Sequence, residues 1–265
     1  MPEDFVAWND RWGAPFGRNF WWARDARKAL TRVGLGQSDL AIRVGGPFCV
    51  QGNSNTREVE YPWAYFESRL EPGLEVVELG GALAGFQFVL SKQGCHVMNV
   101  DPGEEDQAYW ELAIRLDDDT MARLNRLFRT DVVLVGSTLA QARLASNSVD
   151  RVISISTIEH ILPSHLPDLG KEIGRVLRPG GLCVLTIDMF LDLQPFTDKL
   201  ENPYGRNIDV RALVDATGLE LVMGDRSELL GFDDCDPNGI LRNLGEFYMG
   251  YGYPVCAQAL VLAKP

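Results

Sequence analysis

The chain has 265 residues, 46% of them hydrophobic and 23% charged, with a net charge of −12; that is enough for one full core plus an appendage. Such an acid excess repels a phosphate backbone, and Arg123, Arg126 and Arg129 read as the solvated face of a helix whose other side carries Met121, Leu124 and Phe128, so no nucleic-acid partner is expected. No apolar run approaches the roughly 20 residues needed to cross a bilayer, and the start, MPEDFVAWNDRWG, lacks the basic-then-apolar pattern of a secretory leader, so neither a membrane partner nor export is expected.

Residues 1–70 hold Trp8, Trp12, Trp21, Trp22 and Trp63, many glycines and few alternating runs. RNFWWARDARKALTRVG predicts a helix stopped by Gly34, and PWAYFESRL, opening at Pro62, predicts another. This stretch is expected to be an N-terminal helical cap on a domain spanning 71–265. From Leu74 the pattern changes to short blocks rich in β-branched residues, alternating with helical stretches. LEVVEL is a first strand; GGALAG and a helix, FQFVLSKQG, follow it. HVMNV is a second strand ending at Asp101, and Glu104 to about Phe128 reads as helical with a break near Asp117–Thr120. VVLV, VDRVISIS and GLCVLTID supply three more strands, with the helix PDLGKEIGRVL stopped by Pro179–Gly180–Gly181 before the last of these. VRALVDATG, LELVMG and CAQALVLAK complete the series. Such alternation predicts an α/β fold, a Rossmann-like doubly wound sheet with ligands at the C-terminal ends of its strands. Cys49, Cys95, Cys183, Cys235 and Cys256 are odd in number and show no CxxC spacing, which argues against a disulfide framework or metal finger and for reduced thiols in a cytoplasmic protein.

Four segments carry chemistry. VVELGGALAG places a glycine turn after a strand, where backbone N–H groups can approach a ligand closely and Glu78 can receive an ammonium or hydroxyl group. Alone, that turn would also suit a nicotinamide or flavin nucleotide, although Ala82 breaks G-x-G-x-x-G. Asp101, about twenty residues on, can accept both hydroxyls of a ribose. LASNSVDRVISISTIEHI and RVLRPGGLCVLTID follow in order. Together the four segments resemble the ordered motif set of the class I S-adenosylmethionine-dependent methyltransferases, strongly over residues 74 to 190 and more loosely beyond.

That resemblance implies a seven-stranded sheet with its last strand antiparallel, and S-adenosylmethionine as cofactor. Glu78, Gly80, Gly81 and Gly85 would line the methionine half, Asp101 would hold the ribose, and Ser137 and Thr138 would lie at the adenine, with Ser156 beside the cofactor. Alanines stand at the second and third glycine positions (Ala82, Ala84) and Ser137 where many relatives carry Asp. Binding is still expected, because Gly80, Gly81 and Gly85 keep the loop flexible. Glu159 and His160 follow the fourth strand directly and are expected to open onto the reacting edge, with His160 as a candidate base. Some relatives bind a divalent ion through E-x-x-E-H here. Ser156 replaces the first Glu, leaving Glu159, His160 and His165 too few oxygen ligands, so no metal is expected. Asp188, Asp192, Tyr204 and Arg206 lie in or beside a long connection that can shape a substrate pocket. The reading is methyl transfer to an O, N or C nucleophile of a small molecule. The alternative is a non-catalytic subunit of the same fold.

Overall fold

A computed structural model describes residues 1–103, 114–224, 242, 244–248 and 253–265. The strands are β1 (Glu75–Leu79), β2 (His96–Val100), β3 (Val133–Val135), β4 (Val149–Ile155), β5 (Leu177–Phe190), β6 (Glu220–Met223) and β7 (Val255–Ala263). They form one seven-stranded sheet in the order β3-β2-β1-β4-β5-β7-β6. β2 pairs in parallel with β1 and β3, and β4 with β5; among the described strands only β7 runs antiparallel, against both β5 and β6. The doubly wound α/β sheet with an antiparallel last strand is therefore present.

The chain divides into two compact units, Met1–Thr138 and Leu139–Pro265. The first contains β1–β3 and helices α1 (Glu3–Trp12), α2 (Trp21–Arg32), α3 (Asp39–Gly45), α4 (Arg57–Glu67), α5 (Phe86–Lys92) and α6 (Asp118–Phe128). Its core joins helices to the strand–helix unit: the rings of Trp8, Phe48 and Tyr61 pack around one another and on Phe86 of α5. The expected break before α6 is real, since Asp117 caps the helix by accepting from the N–H of Thr120 at 2.7 Å. The helix expected from Glu104 onward falls in part on 104–113, outside the described residues. In the second unit α7 (Leu166–Val176) packs along α8 (Val210–Thr217), and β4 and β5 bury Ile153, Cys183, Val184 and Leu185 completely. Those continuous apolar runs read correctly as interior strands.

Two boundaries differ from the sequence reading. The helix expected to open at Pro62 starts five residues earlier, at Arg57, with Pro62 inside it. Proline has no N–H to offer the carbonyl of Glu58 one turn back. The side-chain amide of Asn9, on α1, donates to that carbonyl at 2.7 Å instead, so a helix partner replaces the missing bond. The second difference is at Pro179–Gly180–Gly181, expected as a helix stop. α7 already ends at Val176, and RPGG is absorbed into β5 as an irregularity where pairing jumps from Val149–Leu177 to Arg151–Leu182. Gly180, at φ +78°, donates its N–H to the carbonyl of Lys264 at 2.8 Å.

Asn9→Ala should destabilise the protein by about 0.5–1.5 kcal/mol in chemical denaturation, because it removes the donor that the carbonyl of Glu58 uses in place of the Pro62 N–H. Adding Pro62→Ala should recover part of that loss, since an alanine in the helix can donate its N–H along the axis, whereas Pro62→Ala alone should not show the same gain.

Candidate functional site

In the first unit the site is built where β1 and β2 end. Beyond Leu79 the chain turns at Gly80, in the left-handed region at φ +66°, with its N–H on the carbonyl of Val100. The next N–H groups are not bare, contrary to expectation. Gly81 donates to Asn99 Oδ1 at 3.2 Å, Ala82 to Asp101 Oδ2 at 2.9 Å and Leu83 to Gln51 Oε1 at 2.8 Å, while Ala84 donates back to the carbonyl of Gly81. The loop carbonyls are also held. Gln87 Nε2 donates to Ala82 at 3.1 Å and to Ala84 at 3.0 Å, and Asn99 Nδ2 donates to Ala82 and to Gln87 Oε1.

The glycines therefore do not make this loop flexible, as was expected; they let it be clamped. A Cβ on Gly81 would lie 2.9 Å from Asn99 Oδ1 and 3.0 Å from the Glu78 carboxyl carbon, and one on Gly85 would lie 2.6 Å from the Phe48 ring. Gly85 acts through packing. Ala82 holds φ +44°, a conformation costly for alanine, and it is the residue most tied down, through both its N–H and its carbonyl.

Asp101 is buried at the end of β2 and accepts from Ala82 on one oxygen and Gly103 on the other. Each oxygen retains a lone pair for a hydroxyl. Its own N–H donates to the carbonyl of Val135, which also accepts from Ser137, so the turn at Ser137 and Thr138 is tied to the Asp101 backbone. The Ser137 hydroxyl donates to the carbonyl of Thr138. Glu78 is 2% exposed, and its Oε2 has no hydrogen-bond partner among the described residues. Burial, and secondarily the charge of Asp101, pushes its carboxyl up to about 8.

In the second unit Ser156 closes β4 at φ +41°, its hydroxyl donating to Asp188 Oδ1 at 3.0 Å with both residues buried. That bond joins the ends of β4 and β5, a role for Asp188 that sequence did not assign. Ile158–His160 form a short 3-10 turn. Glu159, expected to face the open edge, is completely buried, and its backbone carbonyl accepts from the N–H of Arg206. His160 alone of the pair is exposed. Of the other connection residues, Asp192 accepts from Asn202, Arg206 pairs with Glu201, and the ring of Tyr204 stacks on Tyr253 with centroids 4.2 Å apart. Among the described residues no three His, Cys, Asp or Glu side chains group to hold a metal ion.

Residues 77–185 match a family described as a methyltransferase domain. With the sheet order above, the segment has the fold of the class I methyltransferases. The sequence has no significant match among curated proteins. Solved structures support the fold at low identity. Geranyl diphosphate C-methyltransferase from Streptomyces coelicolor is 14% identical with a TM-score of 0.52, covering 78% of this chain and 81% of its own. A [4+2]-cyclase is 14% identical with a TM-score of 0.53, over 90% of this chain and 96% of its own. A Haemonchus contortus phosphoethanolamine N-methyltransferase is 16% identical with a TM-score of 0.53, over 90% of this chain and 60% of its own.

Within the matched segment, sequence reading missed Gln87 and Asn99, and ahead of it Gln51. The signal was faint: Asn99 interrupts an apolar strand and Gln87 an apolar helix, both fully buried. Asn99→Ala should cost about 2–4 kcal/mol of stability, since it strands several buried polar groups at once. Hydrogen exchange at Gly81 and Ala82 should speed up in that variant while exchange in α6 stays unchanged.

Proposed function

We propose that the chain transfers a methyl group from S-adenosylmethionine to an O, N or C nucleophile of a small molecule. The observation that carries this reading is the buried, unpartnered oxygen of Glu78 beside Asp101. Burial and the charge of Asp101 hold the Glu78 carboxyl neutral, and a ligand that brings an ammonium group into the site stabilises its charged form. S-adenosylmethionine carries such an ammonium and, when bound, supplies an electrophilic methyl on its sulfonium. The Streptomyces neighbour was solved with S-adenosyl-L-homocysteine and geranyl diphosphate, and the Haemonchus neighbour with S-adenosylhomocysteine and phosphomonomethylethanolamine.

In this reading Glu78 receives the ammonium against Gly80 and Gly81, with Gly85 setting the loop from behind. Asp101 accepts the ribose hydroxyls on its remaining lone pairs, Ser137 and Thr138 border the adenine, and the Ser156–Asp188 pair fixes the end of β4. Residues 1–70 form the helical cap of the domain. His160 takes the proton of the acceptor's nucleophile, and Glu159, being buried, holds the turn that presents it. Catalysis then rests mainly on alignment.

Calorimetry tests the cofactor reading directly: S-adenosylmethionine or S-adenosylhomocysteine should bind, and no heat at millimolar ligand would sink the proposal. Asp101→Ala should weaken binding by an order of magnitude or more. With its raised pKa, Glu78 is largely protonated at pH 7 in the free protein, so binding should release a proton; repeating the titration in buffers of different ionisation enthalpy reads it. The same shift fixes a stability profile. The folded protein holds a proton that the unfolded chain has lost, so stability should fall as pH rises from about 4.5 to about 8. Glu78→Gln should flatten that fall and weaken cofactor binding. His160→Ala should lower turnover about 100-fold or more with cofactor affinity unchanged; equal loss of both would make His160 structural.

A second reading, a subunit of this fold without turnover, is favoured by one observation: the loop N–H groups after Gly80 are already taken by Asn99, Asp101 and Gln51. Conversion of labelled cofactor to S-adenosylhomocysteine with any acceptor would rule it out.

A further inference from the structure

Residues 16–32 stand apart from the rest of the chain in charge. Between Arg18 and Arg32 lie five basic residues and one acid, a local charge of +4 in a chain of −12. The same segment exposes four large aromatics: Phe16, Phe20, Trp22 and, at 74%, Trp21. On α2, Trp21, Lys28 and Arg32 are spaced by seven and four residues, which puts them on one stripe, and all three are exposed. Trp22 stacks on Phe20 at the edge of that stripe. Arg18, Lys28 and Arg32 also line an open cleft of about 830 Å³ between α1, the 14–19 segment and α2, with Phe16 in its wall and Asp10 and Glu58 as its acids. The basic ground extends to Lys92, whose pKa is lowered by burial and then by the positive charges of Arg129 and Arg18.

We propose that this segment docks the protein on an anionic lipid bilayer, with the aromatics in the interface and lipid phosphates at Arg18, Lys28 and Arg32. Trp and Phe beside Lys and Arg on one surface are the composition of an interfacial helix. Charge complementarity selects the occupant: the anionic surface attracts this segment and repels the remainder, which carries a net −16 by difference. Among the described residues no helix is long and apolar enough to cross a membrane. Docking of this kind needs none, so the lack of a spanning run does not exclude it. Nor does it rest on the methyl-transfer reading.

The test is co-sedimentation of the whole protein with phosphatidylglycerol–phosphatidylcholine vesicles, with phosphatidylcholine alone as control. Binding is expected to the mixed vesicles only, weakening as salt is raised. The double variant Lys28→Glu/Arg32→Glu should reduce the bound fraction's partition coefficient at least about tenfold, and Trp21→Ser/Trp22→Ser should reduce it similarly. All four side chains are exposed, so an unchanged thermal transition should confirm that both variants fold. Failure to bind mixed vesicles at low salt overturns the proposal, as does binding that neither variant reduces. So does saturable binding of inorganic phosphate by calorimetry without vesicle binding, which would make the cleft a small-anion site, or capture of an acidic protein partner without lipid binding.

Discussion

Asn99 sits at the end of a buried strand and spends its amide on three partners: it receives the N–H of Gly81 and gives its own to Ala82 and Gln87. The geometry of the loop after β1 depends on this side chain and its neighbours Gln87 and Asp101. A loop of glycines and alanines has no side chains with which to fix itself. Here the fixing groups come from the adjacent strand, the following helix and Gln51. In a low-dielectric interior such a network is strong when complete and costly when one member is lost. It also explains how Ala82 occupies a left-handed position that usually favours glycine: the bonds at both its N–H and its carbonyl hold it there.

The clamped loop leaves Glu78 as the buried polar group without a counterpart in that network. Asp101 is satisfied by two N–H donors, whereas Glu78 has an oxygen with none. The asymmetry matters chemically. A carboxyl held neutral by burial is a poor partner for water and a good one for an incoming ammonium, because binding restores the charge that burial suppresses. In the second unit the logic is different: Ser156 and Asp188 satisfy each other, Glu159 is interior, and His160 is what the strand end presents to solvent.

The N-terminal segment shows a contrast within one stretch of sequence. Its aromatics divide between packing and exposure: Trp8 joins Phe48, Tyr65 and Phe86, while Trp21 and Trp22 remain at the surface beside Lys28 and Arg32. Composition alone treats all of these tryptophans alike. Trp8 lies on the face of α1 that meets Phe86 of α5, whereas Trp21 and Trp22 lie on exposed positions of α2.

From Leu74 onward the sequence by itself determined the order and type of the described elements, because the apolar period changes where strands give way to helices, and it located the turn at Gly80 and the carboxylate of Asp101; α1 and α3, in the N-terminal stretch, it did not reveal. The ordered motifs were enough for the class I fold. The helix boundary at Pro62 was misplaced because the group that rescues it, Asn9, lies 49 residues from the carbonyl it serves. For the same reason Gln51, 32 residues from Leu83, gave no local sign. Tertiary structure alone decided which backbone groups the loop keeps for itself, why Gly81 and Gly85 must lack side chains, and that Glu159 turns inward while His160 faces solvent. Each is a question of who satisfies whom in the interior, and that depends on contacts between residues far apart in the chain.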